Sequence, residues 1–284
     1  MKNLFKTFAL LLIMSTAFAQ QDKGLLYEIS GNELTKPSYV FGTFHIMCAE
    51  DYLMSEIIKQ KFTATEQVVL ELDMDDPQMM VQMQQQMFMK DGKSLKDLLS
   101  KEDYDEVDNY FTDSLKIPFQ MLDKVKPFAL TSMLYPKILG CPIQSFEMDF
   151  VKLGKAEKKE ILGLETVTDQ MGVFDAIPYQ KQAEDLVGAI EDMDDSKAEF
   201  DKLVATYKTE DIDAIAKIIA EEDNGYAEYT DILLNNRNQN WIAKISDFAK
   251  KKSTFFAVGA GHLGGKEGVV NLLREAGYTV KAVR

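Results

Sequence analysis

Ser38-Tyr39-Val40-Phe41-Gly42-Thr43-Phe44-His45 is a short apolar strand that runs into a glycine and closes on a histidine. The pattern returns near the other end of the chain, where Phe255-Phe256-Ala257-Val258 leads into Gly259-Ala260-Gly261-His262-Leu263. Neither run alternates apolar and polar residues, and continuous apolar strands belong to sheets covered on both faces. A glycine at the C-terminal end of such a strand lets the backbone turn sharply. Each imidazole is then expected to project into the crevice where open α/β sheets bind ligands. His45 and His262 are the only histidines in the chain. A single histidine after a strand is ordinarily a hydrogen-bonded structural residue, but two in one spacing, both at strand ends, point to a shared site.

Working outward, residues 25–30 read as a strand and Gly31-Asn32 as a turn, which makes an opening hairpin with 38–42. Further strands are expected at 67–72, 143–146, 160–164, 254–258 and 278–283. Amphipathic helical stretches fall at 53–62, 77–89, 95–99, 104–111, 119–122, 177–193, 197–207, 212–222, 226–250 and 266–276, the last ended by Gly277. The pattern is α/β at both ends with a helical middle, in one domain over 20–284.

Lys2 and Lys6 precede the apolar run 8–14, and Ala17-Phe18-Ala19 follows as a small-x-small cleavage site. Residues 1–19 are therefore expected to be a secretory signal peptide, and the chain to be periplasmic or secreted. No later run reaches the roughly 20 apolar residues that a membrane span needs. Without Lys2 and Lys6, 30 basic residues face 46 acids, a net charge of −16. Such a field argues against nucleic acid and anionic membrane surfaces as partners. In an oxidising compartment Cys48 and Cys141 can form a disulfide, or both can be buried free thiols; their spacing does not decide.

Met79, Met83 and Met87 share one face of the helix expected at 77–89. They are read as packing an irregular apolar surface, in the core or as a lid. A flexible substrate-contacting face and soft-metal binding are the alternatives.

Two imidazoles suit a first-row divalent ion but need an oxygen ligand or a base beside them. Glu71, embedded in Val68-Val69-Leu70-Glu71-Leu72-Asp73, is the sharpest candidate, because a carboxylate among apolar residues is costly unless it is paired. Asp73, two residues on, can face the same side. Glu165, at the end of Ile161-Leu162-Gly163-Leu164-Glu165, repeats the theme, with a helix-start acid as its plainer reading. Arg237 lies in a polar patch of an otherwise regular helix and suits an oxyanion or a substrate carboxylate, an ordinary surface ion pair being the other reading. Trp241 is read as a core anchor.

Taken together, Gly42-Thr43-Phe44-His45, Glu71, Gly163-Leu164-Glu165-Thr166, Arg237-Asn238 before Trp241, and Val258-Gly259-Ala260-Gly261-His262-Leu263 resemble the TraB/GumN family. That family is related to the Tiki metalloproteases and, more distantly, to erythromycin-esterase-like and ChaN-like proteins. The resemblance implies a compact α/β domain with a central mixed sheet flanked by helices. It also implies a metal-dependent hydrolase, cleaving a peptide or small ester, with His45, His262, Glu71 and Glu165 as metal ligands and catalytic groups and Arg237 beside them. Manganese or cobalt is the implied ion, with zinc the further option. The esterase branch implies the nearest alternative, a metal-free His/Glu general base. A non-catalytic module that binds metal or haem and, last, a structural or adhesive surface protein are the other classes. The oligomeric state and the substrate selected by 74–137 stay open.

Overall fold

The computed structural model describes residues 23–220 and 226–284. The signal peptide expected at 1–19 lies outside the described residues. The strands are β1 (Leu26–Ser30), β2 (Ser38–Thr43), β3 (Met47–Cys48), β4 (Gln67–Leu72), β5 (Ile143–Gln144), β6 (Glu160–Glu165), β7 (Thr254–Gly259) and β8 (Thr279–Ala282). Six of them form one mixed sheet in the order β6-β4-β7-β2-β1-β8. β1 runs antiparallel to β2, as the opening hairpin requires, and antiparallel to β8. β2, β7, β4 and β6 are mutually parallel.

The two motif strands are direct neighbours, with Gly42 opposite Val258 and Thr43 opposite Gly259. Their continuous apolar character follows from the pleat. Phe41, Phe255 and Ala257 pack on one face with Phe62, Phe146 and Phe150. Val40, Phe256 and Val258 pack on the other with Trp241, Ile245 and Leu273. Each buried phenylalanine contributes about 1.5–3 kcal/mol relative to an exposed one. A third core, with Leu95, Val107, Phe111, Phe119, Leu130 and Leu186, belongs to the helical middle and holds no sheet residue.

The face of Met79, Met83 and Met87 is half-buried, which sets aside the deep core and leaves surface packing as in a lid. Met79–Gln86 has no buried residue, and Met80 is 68 % exposed. It rests beside the helix Val167–Asp175, to which Gln86 Nε2 donates through Thr168 Oγ1 at 2.9 Å. Three helices were not expected, Pro127–Ser132, Tyr135–Leu139 and Phe146–Ala156, while Val167–Asp175 is the helix implied by the helix-start reading of Glu165. In the first two a proline, Pro127 or Pro136, sits at the helix start, where the missing N–H costs nothing.

Cys48 and Cys141 form a disulfide, with Cα atoms 5.6 Å apart, so the free-thiol reading is set aside. The bond flanks a two-stranded ladder, β3 antiparallel to β5, that joins the segment after His45 to the one before Phe146–Ala156.

Candidate functional site

The strand order β6-β4-β7-β2 brings Glu165, Glu71, His262 and His45 to one edge of the sheet, each at or just past the C-terminal end of its strand. The motif glycines serve close approach and not the sharp turn anticipated for them. Neither Gly42 nor Gly259 has a positive φ. A Cβ on Gly42 would stand 2.7 Å from Leu263 Cδ1 and 3.0 Å from Ala260 Cα. On Gly259 it would point into the site, 3.4 Å from both Glu71 Oε1 and His45 Nε2 and 3.6 Å from His262 Cδ2. We call this small space the Gly259 niche.

Arg237 is the hub. It opens the helix Asn236–Lys251 directly after a π-helical turn, Asp231–Asn235, a distortion frequent at functional sites. Its Nε donates to Glu165, Nη2 to Glu71 Oε2 at 2.6 Å and Glu165 Oε2 at 2.9 Å, and Nη1 to the Leu233 carbonyl and toward His262 Nε2 at 3.1 Å. All the guanidinium N–H groups are thus engaged. Trp241 donates from Nε1 to Glu165 Oε1 at 2.9 Å, and its ring lies beneath Arg237 and beside His262. The core anchor is therefore also a site residue.

Glu71 Oε1 accepts the Gly259 N–H at 2.8 Å, and Oε2 accepts from Gln170 Nε2 at 3.2 Å. Burial disfavours the charge on Glu71, but the positive charges of His45 and Arg237 and the Gly259 N–H outweigh it and hold the carboxyl down to about 2. His262 is 4 % exposed, and burial pushes its imidazole down to about 3, so the ring is neutral. Its tautomer follows from its neighbours. Asn238 donates from Nδ2 to the Glu267 carbonyl, which turns Oδ1 toward His262 Nδ1 at 2.6 Å. Nδ1 therefore carries the proton, and the bare Nε2 accepts from Arg237.

His45 is different. Its side chain is 65 % exposed, and Nδ1 meets Glu147 Oε1 at 2.8 Å. Desolvation favours the neutral ring, but the hydrogen bond and charge of Glu147 prevail and raise the imidazole to about 9. Glu147 also accepts from Thr43 Oγ1 at 2.5 Å and Ser145 Oγ at 2.9 Å. Burial works against its charge, yet His45 and Thr43 hold it below the usual carboxylate range.

Glu147 is the residue that sequence reading missed, because 143–146 was read as a strand and the helix behind it went unseen. Ser145 at the helix start, Glu147 and Asp149 in the first turn, and Phe146, Phe150 and Gly154 at helical spacing were the available signals. A cavity of about 250 Å³ opens at His45, with Glu71, Met74, Glu147 and Gln170 in its wall. Asp73 is not in that wall; it lies past the end of β4 beside Asp75.

The model of the TraB/PrgY/gumN family matches residues 25–282. The chain belongs to this family. Among curated relatives it is similar to the metalloprotease TIKI2 of Danio rerio, with 23 % identity over 304 residues covering 86 % of this chain. The chain spans 58 % of that relative's length. No solved structure matches it. No helix among the described residues is long and apolar enough to cross a membrane.

A metalloprotease relative raises the question of whether this family member's residues suit an ion. The niche is bordered by an imidazole nitrogen and a carboxylate oxygen, donors that suit a divalent first-row metal. His45 and Glu71 fit. His262 turns a carbon toward the niche because Nε2 faces Arg237, and Glu165 has both oxygens on Arg237 and Trp241. Among the described residues, sulfur and carboxylate atoms also converge at Cys48, Glu50 and Asp51, but the Cys48 sulfur is in the disulfide and offers no thiolate.

Proposed function

We propose that this chain is an exported hydrolase that cleaves peptide bonds at the Gly259 niche, with His45 and Glu71 as its working pair. The observation that carries the reading is the convergence of His45 Nε2 and Glu71 Oε1, each 3.4 Å from the position a side chain at 259 would fill. The disulfide supports an oxidising compartment, periplasmic or secreted.

The similarity to a metalloprotease supports metal dependence, with manganese or cobalt ahead of zinc. His45 and Glu71 would hold the ion, and when bound it supplies Lewis acidity to water and to the scissile carbonyl. Arg237 keeps Glu71 ionised and oriented. With its N–H groups engaged, it acts through Glu71 and His262 and not by reaching for an oxyanion. Glu165 and Trp241 hold Arg237 in turn. Exposed Met80 and half-buried Met79 and Met83 belong to the helix that packs beside Val167–Asp175 and suit an apolar peptide segment.

A second reading has its own support. His45 has a carboxylate behind Nδ1 and Nε2 toward the niche, the arrangement of a general base that needs no metal once the ring has lost its second proton, so this reading expects cleavage to rise as pH approaches about 9. One experiment separates the two. The mature chain is purified, its bound metal measured, and cleavage of a peptide panel followed by mass spectrometry with and without chelator. The metal reading expects cleavage lost to chelator and restored by manganese or cobalt, and lost metal in His45→Ala and Glu71→Gln. Cleavage that survives complete chelation selects the metal-free base. Cleavage undiminished in both variants rejects the niche as the active site.

A further inference from the structure

We propose that Glu147 is the positioning residue of His45, holding the ring by its Nδ1–H so that the proton the imidazolium gives up is the one on Nε2 and the lone pair left there faces the Gly259 niche. This rests on the reading of that niche as the reacting position.

The argument begins with the donors. Thr43 and Ser145 carry hydroxyls that rotate to suit a partner, and both point at Glu147, one on each carboxylate oxygen. An ionised carboxylate only accepts. The third contact, His45 Nδ1 at 2.8 Å, must then be an N–H. In water a neutral imidazole favours the proton on Nε2, so Glu147 reverses the ring's own preference. The consequence is chemical: with the proton on Nε2 the niche would meet a donor, and neither a metal nor a proton from water could be taken there.

The fold is built to deliver this contact. His45 and Glu147 lie 102 residues apart in sequence. β3 follows His45 by one residue and pairs antiparallel with β5, which ends two residues before Phe146–Ala156 begins. The Cys48–Cys141 disulfide closes the same ladder. Glu147 sits in the first turn of its helix, where a negative charge complements the dipole. Tyr207 donates to the Gly42 carbonyl at 2.9 Å, and Phe44 packs edge-on against Tyr207 and Phe200, which fixes the backbone that carries His45.

The two histidines thus share one device with different ends. In each, an oxygen acceptor claims Nδ1–H: the Asn238 amide for His262 and the Glu147 carboxylate for His45. For His262 the freed Nε2 is given to Arg237, whereas for His45 it is turned to the niche.

Because the chain has two histidines, ring-nitrogen NMR reads the device directly. The spectrum is recorded on uniformly ¹⁵N-labelled mature chain near pH 10, above the value of about 9 for His45, with the His45 signals assigned by their loss in His45→Asn. Both rings are expected in the Nδ1–H form, His262 serving as internal reference. In Glu147→Ala the His45 ring should revert to mostly Nε2–H while His262 is unchanged. Where Ala does not fold, isosteric Glu147→Gln, whose amide either donates or accepts, should lower the Nδ1–H population. An unchanged His45 tautomer in the folded variant overturns the proposal.

Kinetics supply the second arm. For a peptide the wild type cleaves, kcat should fall on the order of tenfold to a hundredfold with KM little changed, and Gln should recover part of it. If the wild type cleaves nothing, the hydrolase reading fails while the tautomer still decides the role of Glu147.

Discussion

Asn238 Oδ1 lies 2.6 Å from His262 Nδ1 while the amide nitrogen of the same side chain donates to the Glu267 carbonyl at 2.8 Å, so the residue that fixes the imidazole is itself fixed. Both Asn238 and His262 are buried. Asn238→Leu keeps the bulk but leaves an N–H of His262 and the Glu267 carbonyl without a partner. The expected cost is about 1–3 kcal/mol, most of it the penalty of unsatisfied buried groups. Urea unfolding reads it as a lower midpoint at unchanged slope. A midpoint equal to the wild type's would show that the amide is not what holds the ring.

Much of this site was legible because strand periodicity is a short-range signal. The runs at 38–42, 67–72, 160–164 and 254–258 emerged as neighbouring parallel strands, and their ends carry His45, Glu71, Glu165 and His262. What sequence could not supply is which atoms face one another. Glu165 looks as available as Glu71 along the chain, yet only the fold puts Arg237 and Trp241 on both of its oxygens. Glu147 was hidden for a different reason. Its partner is 102 residues away, and its helix begins one residue after a two-residue strand, so Ile143 to Phe146 reads as a single short strand. The helical spacing of Met79, Met83 and Met87 is real, but the face is half-buried and not deep in the core, because a periodic face does not say how much covers it.

Arg237 separates Glu71 from Glu165, and all three side chains are largely buried. Removing one partner of such a group is more damaging than removing the group, since the remaining charges keep their desolvation penalty. Arg237→Met should therefore destabilise by about 3–5 kcal/mol. Arg237→Met with Glu71→Gln and Glu165→Gln should recover a good part of it. Arg237→Lys offers a point charge in place of a planar fork and should fall between wild type and Met. Denaturant midpoints for the set test this; a triple variant less stable than Arg237→Met would refute the account.

Lys126 is 1 % exposed and bonds Asp175 at 2.6 Å, with Lys90 on the other carboxylate oxygen. Burial opposes the charge on Asp175, but the two lysines and the Tyr179 hydroxyl overcome it and lower its pKa. A carboxyl lowered on folding adds stability that is complete above its unfolded value, near 4, and that is lost as pH falls through the lower folded value. The helical middle should thus loosen in acid. Asp175→Asn should remove this share of the acid sensitivity and, by stranding Lys126, lower stability at neutral pH. Parallel melting curves for the two proteins from neutral pH down to about 2 should converge; a constant gap would assign the acid sensitivity to other groups.

Gly259 allows stability and chemistry to be pulled apart. Its φ is −52°, a value any residue adopts, and an added Cβ would meet Glu71 Oε1 and His45 Nε2 at ordinary contact distance. Gly259→Ala should fold, and the loss of freedom in the unfolded chain should stabilise it by up to about 1 kcal/mol. The methyl group would nonetheless stand in the niche, so peptide cleavage and metal uptake should both collapse. Gly42→Ala is the control in the other direction. Its Cβ would press on Leu263 and on the Ala260 backbone, and overpacking there should cost about 1–3 kcal/mol. A Gly259→Ala protein that melts no lower than wild type and has lost its activity places the chemistry between Glu71 and His45; one that cleaves normally moves it elsewhere.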